Sequence, residues 1–115
     1  MLFRSDTDKL AALALETAAV TFACEASDPE EVAALFEVVT ASVGEPDIVV
    51  YNASARARGP VTDLEPDAVL RAIMVSGYGG FLVAQQAARQ MVARWPDREM
   101  QGLLDRSIEY VVKRH

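Results

Sequence analysis

One hundred and fifteen residues make one domain-sized chain, 51% hydrophobic, 24% charged and 7% aromatic, which excludes a disordered tail, a collagen-like repeat and a coiled coil. With 11 Lys+Arg against 17 Asp+Glu the net charge is −6, so a general nucleic-acid binder would lack its electrostatic drive. One cysteine, Cys24, and one histidine, the terminal His115, exclude an intrachain disulfide and a Cys/His metal cluster.

In chain order, Met1-Leu2-Phe3 meets Arg4, Asp6 and Asp8 at once, which leaves no apolar core for a signal peptide. Capping acids and an Ala/Leu run then predict a helix over 6–16, with Leu10, Leu13 and Ala14 on one side. Ala19-Val20-Thr21-Phe22-Ala23-Cys24 is β-branched and aromatic, and reads as a buried strand. Asp28-Pro29-Glu30-Glu31 supplies a capping carboxylate, a proline at the first helical position and acids at the positive end of the helix dipole. The helix it opens runs to about Ser42, with Val32, Leu35, Phe36 and Val39 as its inner stripe. Gly44-Glu45-Pro46 stops it, and Asp47-Ile48-Val49-Val50-Tyr51 reads as a second buried strand, far short of the ~20 residues of a membrane span.

Asn52 to Pro60 is a polar loop of small residues at a strand end, where chemistry is commonly carried. A long helix is expected over 66–92, with Gly77, Gly79 and Gly80 inside it, and a last amphipathic helix over about 100–112 after Trp95-Pro96. The fold class is α/β: one domain over 1–115 with two parallel strands and about four helices. Charge is uneven, with two basic and ten acidic residues in 1–47 against nine and seven in 48–115.

Four stretches together resemble the short-chain dehydrogenase/reductase family, Rossmann-fold oxidoreductases that use NAD(P)(H). Phe3-Arg4-Ser5-Asp6 is similar to the end of that family's second strand, Cys24-Glu25-Ala26-Ser27-Asp28 to the end of the third, and Tyr51-Asn52-Ala53-Ser54 to the Asn-Asn-Ala-Gly signature after the fourth. Met74-Val75-Ser76-Gly77-Tyr78-Gly79-Gly80-Phe81 resembles the helix that follows, with Ser76 where the family has a structural and catalytic Asn. The resemblance implies a partial Rossmann-like fold, with residues 93–115 a helical tail unlike the family. It implies cofactor contacts at Arg4 (a ribose 2′-phosphate), Glu25 (the adenine), Asn52, Ala53 and Ser54.

The family's glycine-rich diphosphate turn would lie ahead of this chain and its Ser and Tyr-x-x-x-Lys beyond the similar region, so no catalytic residue is expected here. Tyr110 and Lys113 are spaced by three, not four, and read as a surface pair. The implied parent activity is NAD(P)-dependent oxidation of an alcohol or reduction of a carbonyl, with weak or absent cofactor binding by this chain alone. The other class of function weighed is a non-catalytic module, with helix 66–92 docking on its own copy or on a full-length relative; exposure of Phe81, Leu82 and Met91 would favour it. The expected setting is the cytoplasm, with no nucleic-acid or membrane partner. Unpaired strand edges are costly when buried, at about 1–3 kcal/mol per group, so strands 19–24 and 47–51 are expected to pair directly.

Overall fold

The computed structural model describes residues 2–4 and 10–94. Strand β1 (Leu2–Arg4) and strand β2 (Thr21–Ala23) form a parallel ladder in which Leu2 faces Thr21 and Arg4 faces Ala23. Between them lies helix α1 (Ala11–Thr17), which contributes no buried residue of its own, although Leu10 at its start is buried. Of the helix expected over 6–16, residues 11–16 are helical and 6–9 lie outside the described residues.

Helix α2 (Pro29–Ser42) begins as its cap chemistry dictates. The Asp28 carboxylate accepts from the Glu30 and Glu31 amides at 2.8 and 3.1 Å, and Pro29 occupies the first turn. Val32, Leu35, Phe36 and Val39 are all buried. Gly44, at φ +113°, takes a backbone conformation that L side chains rarely adopt, and its amide returns to the Val39 carbonyl at 3.1 Å.

The expected long helix is present and runs over Pro66–Arg94 in three stretches: α3 (Pro66–Ile73), a five-residue π-helical turn (Met74–Tyr78), and α4 (Gly79–Arg94). The helix is 29 residues long and an 18-residue stretch of it has a mean hydropathy of 1.3, which satisfies the length and composition of a membrane span. Leu82, Val83 and Ala87 of α4 are packed with α2 in the core, while most of the apolar stretch is not buried. That core comprises Cys24, Val32, Leu35, Phe36, Val39, Leu82, Val83 and Ala87, with Phe22, Val49, Tyr51 and Met91 against it.

The expected pairing of 19–24 with 47–51 is overturned. The ladder partner of β2 is β1, and residues 47–51 form no strand. The reason is solvation: Ile48 and Val50 stand 83% and 77% exposed, so the unpaired backbone beside them faces water and escapes the burial penalty that would force pairing. A short strand at 2–4 was not anticipated as a ladder partner. The expected helix over 100–112, the tail beyond Arg94, Trp95, and the Tyr110/Lys113 pair lie outside the described residues.

Candidate functional site

Beyond β2 the chain turns sharply into α2. The Glu25 amide donates to Glu31 Oε2 at 2.7 Å, the Asp28 amide to the Glu25 carbonyl at 3.0 Å, and the Ser27 hydroxyl to Glu25 Oε1 at 2.9 Å. Glu25 is thus held half-buried at the ladder's end, with no protein partner for Oε2 among the described residues. Beside it Cys24 is buried, and burial, followed by the carboxylates of Glu31, Glu25 and Asp28, pushes its thiol up to about 11.

Across residues 48–58 exposure alternates residue by residue, the pattern of an extended chain, although no strand is formed. Two clamps hold this run. At its start Arg94 reaches from the end of α4 to Glu45 Oε2 (3.2 Å), Asp47 Oδ1 (2.9 Å) and the Pro46 carbonyl (2.7 Å). Further along, Ser76 in the π turn accepts from the Ala55 amide and donates to its carbonyl, both at 3.1 Å. Between the clamps the Tyr51 hydroxyl donates to the Val75 carbonyl. Burial, then Glu25 and Cys24, raises the Tyr51 phenol above its ordinary value.

Tyr51 also explains Gly79. A Cβ there would meet the Tyr51 hydroxyl at 2.5 Å and the Ala26 carbonyl oxygen at 2.8 Å, so the end of β2, the extended run and the long helix converge where only glycine fits. Gly77, 79 and 80 all lie within the helix; Gly79 and Gly80 face Tyr51, which supports a packing role for these two, whereas a Cβ at Gly77 would meet nothing within 4 Å.

Glu25, Asn52, Ala53 and Ser54 line one open cleft of about 1250 Å3, joined by Arg71 and Val75 from the long helix. The structure thus brings four of the five sequence-inferred contact residues together. Arg4 lies in β1, with its backbone opposite Ala23 two residues before Glu25, while its side chain falls outside the described residues. Arg56 and Arg58 are exposed in the same extended run, with no ion pair among the described residues. Reading the sequence missed the anchoring roles of Tyr51, Ser76 and Arg94. The signal for the first two was present as departures from a motif, whereas nothing near Arg94 in sequence marks its partners 47 to 49 residues away.

Chemically the cleft offers a carboxylate oxygen for an amine, an amide and a hydroxyl for ring nitrogens or sugar hydroxyls, and small walls at Ala53 and Ala26. That donor set fits the adenosine end of a nicotinamide dinucleotide. Among the described residues no glycine-rich turn joins a strand to a helix N-terminus, so a diphosphate finds no backbone cradle here. No group of three His, Cys, Asp or Glu positioned to hold a metal occurs among them.

A family model described as enoyl-(acyl carrier protein) reductase matches residues 2–97. Gluconate 5-dehydrogenase from Burkholderia cenocepacia J2315, solved with NADP and tartrate, is 32% identical, with TM-score 0.70, over 81% of this chain and 39% of its own. A short-chain type dehydrogenase/reductase from Mycobacterium marinum is 29% identical, with TM-score 0.75, over 80% and 39%. A third from Mycobacterium ulcerans is 26% identical, with TM-score 0.68, over 80% and 37%. The chain therefore spans about two-fifths of the length of these structures. No curated protein matches it.

Proposed function

The chain belongs to the short-chain dehydrogenase/reductase family, and from that premise we propose that it forms the adenosine-side wall of an NAD(P)-dependent oxidoreductase site acting on an alcohol or carbonyl in the cytoplasm. The observation that carries this reading is the convergence of Glu25, Asn52, Ala53 and Ser54 on one cleft. Glu25 Oε2 accepts from an exocyclic amine, and the Asn52 amide and Ser54 hydroxyl orient the sugar; Arg4, opposite Ala23, lies at the ladder end where a ribose phosphate would approach. A bound nicotinamide would supply the hydride acceptor or donor; these 115 residues supply no glycine-rich diphosphate turn and no Tyr-x-x-x-Lys proton donor.

By themselves they therefore bind cofactor weakly and do not turn it over. Two hydrogen bonds at about 1 kcal/mol each do not offset an association cost on the order of 4 kcal/mol or more, which sets affinity at roughly millimolar or weaker. Calorimetric titration with NADPH and NADH is the test: a micromolar dissociation constant, or reduction of any ketone in a substrate panel by the purified chain, would sink this reading.

A second reading has its own observation. Leu70, Ile73 and Phe81 stand 58%, 60% and 56% exposed along the long helix, a face suited to docking on a second copy or on a longer relative. Phe81 is exposed, Leu82 is buried and Met91 is half-buried against the core, so the face is narrower than the sequence implied. Phe81→Glu should abolish any self-association carried by this helix.

A further inference from the structure

Where β2 passes into α2, hydrogen bonds fix Glu25 at both ends of its residue. Its amide is taken by a Glu31 carboxylate oxygen at 2.7 Å and its carbonyl by the Asp28 amide at 3.0 Å. The Glu30 and Glu31 amides at the start of α2 are already taken by Asp28, so the Glu25 carboxylate does not fold back on them. Ser27 supplies its partner instead. The Ser27 hydroxyl donates to Glu25 Oε1 at 2.9 Å, and the Ser27 amide lies 3.4 Å from the same oxygen. One carboxylate oxygen is thus satisfied from within the chain, while Oε2 has no protein partner among the described residues. Glu25 and Ser27 both line the cleft, and every group of this arrangement belongs to the single segment 25–31.

An unrestrained glutamate turns about three side-chain bonds and offers either oxygen to whatever donor arrives. Tied at one oxygen, it offers the other from one position. A carboxylate accepts and does not donate, so from that position it takes the exocyclic 6-amino group of an adenine and repels the 6-oxo group of a hypoxanthine. Hypoxanthine does carry a donor beside its oxo group, the ring N–H at position 1. A mobile carboxylate swings to reach it; a tied one does not. We propose that Ser27 is a positioning residue, which by holding Glu25 Oε1 makes the cleft select a 6-aminopurine over a 6-oxopurine. This rests on the reading of the cleft as the adenosine side of a dinucleotide site, and assigns the residue that sets its choice of base.

The test titrates the full 115-residue chain, isotope-labelled, with adenosine and with inosine. The backbone amide signals of Asn52, Ala53 and Ser54 report binding in the cleft, and circular dichroism shows that each variant keeps its helices. In the unsubstituted chain adenosine is expected to bind about fivefold tighter than inosine or better, a ratio that one charge-assisted hydrogen bond supports. Ser27→Ala should bring that ratio to within about twofold, in part by strengthening inosine, whereas Ser27→Thr, which keeps the hydroxyl, should preserve it. A purely structural role for Ser27 would weaken both nucleosides alike and leave the ratio where it was. Equal affinities in the unsubstituted chain, with all three amide signals moving, would overturn the proposal and leave the reading of the cleft intact. A ratio unmoved by Ser27→Ala, or lost equally in Ser27→Thr, would do the same. Signals that stay still with either nucleoside would overturn the reading of the cleft, and this proposal with it.

Discussion

The two halves of the long helix differ in burial far more than in sequence character. In α4, Leu82, Val83 and Ala87 pack on Val32, Leu35, Phe36 and Val39 of α2, whereas α3 has no buried residue although Val69, Leu70 and Ile73 are as apolar as anything in α4. An apolar stripe becomes core only where another element lies across it. Helix α2 is that element, fixed by its cap and by the return of the chain through Arg94. The same contrast separates β2, which has a ladder, from residues 47–51, which do not.

The largest expected effect contrasts the two halves directly. Phe36→Ala should cost about 3–5 kcal/mol, enough to unfold a small domain, while Leu70→Ala should stay within about 0.5 kcal/mol in urea denaturation. Equal losses would show that α3 is covered in solution. Two glycines of the joint give a sharper pair. Gly79→Ala should destabilise by about 1–3 kcal/mol, since its methyl runs into the Ala26 carbonyl and Tyr51. Gly77→Ala, with nothing within 4 Å of its added carbon, should stabilise by up to about 1 kcal/mol.

Smaller again, Ser76→Ala should lower stability by about 0.5–1 kcal/mol and speed amide exchange at Ala55, because both hydrogen bonds of that clamp are exposed. The last effect belongs to alkaline solution. The Cys24 thiol is raised from an ordinary 9.0 to about 11, so the unfolded chain releases this proton before the folded one does. Stability should be full below pH 9 and decline between about pH 9 and about pH 11, with the raised Tyr51 phenol acting in the same direction. Urea midpoints at about pH 8 and about pH 10.5 should differ less in Cys24→Ala than in the parent; an unchanged difference would show that the thiol is not the group responsible.

What could be read from sequence follows the range of the forces involved. Helix α2 was legible to its cap and its buried stripe, because Asp28, Pro29 and the spacing of Val32, Leu35, Phe36 and Val39 act within one element. The cofactor contacts implied by the resemblance were legible only as an expectation, and the structure places Glu25, Asn52, Ala53 and Ser54 along one open cleft. The sheet was not. Asp47-Ile48-Val49-Val50-Tyr51 has every local mark of a strand, but a strand is completed by a neighbour, and the segment that pairs with β2 is the three residues Leu2–Arg4. Tyr51 and Ser76 stood out only as losses from a motif, since a hydroxyl reaching a carbonyl 24 residues away, or a backbone 21 away, leaves no periodic trace.

The π turn at Met74–Tyr78 has a geometric consequence for the whole helix. An α-helix advances about 100° per residue, and a π turn accommodates roughly one residue more than a regular turn, so it shifts the angular phase of everything after it. Deleting a single residue from 74–78 should restore a regular α-helical turn and leave α4 in nearly its present orientation, whereas straightening the turn with all five residues retained would rotate α4 by about 100° about its own axis. Phe81, Leu82 and Gln86 would then take the angular positions that Leu82, Val83 and Ala87 now hold against α2. The long helix thus holds its apolar residues in two frames, and the π turn is the joint where the frame that faces water gives way to the frame that builds the core.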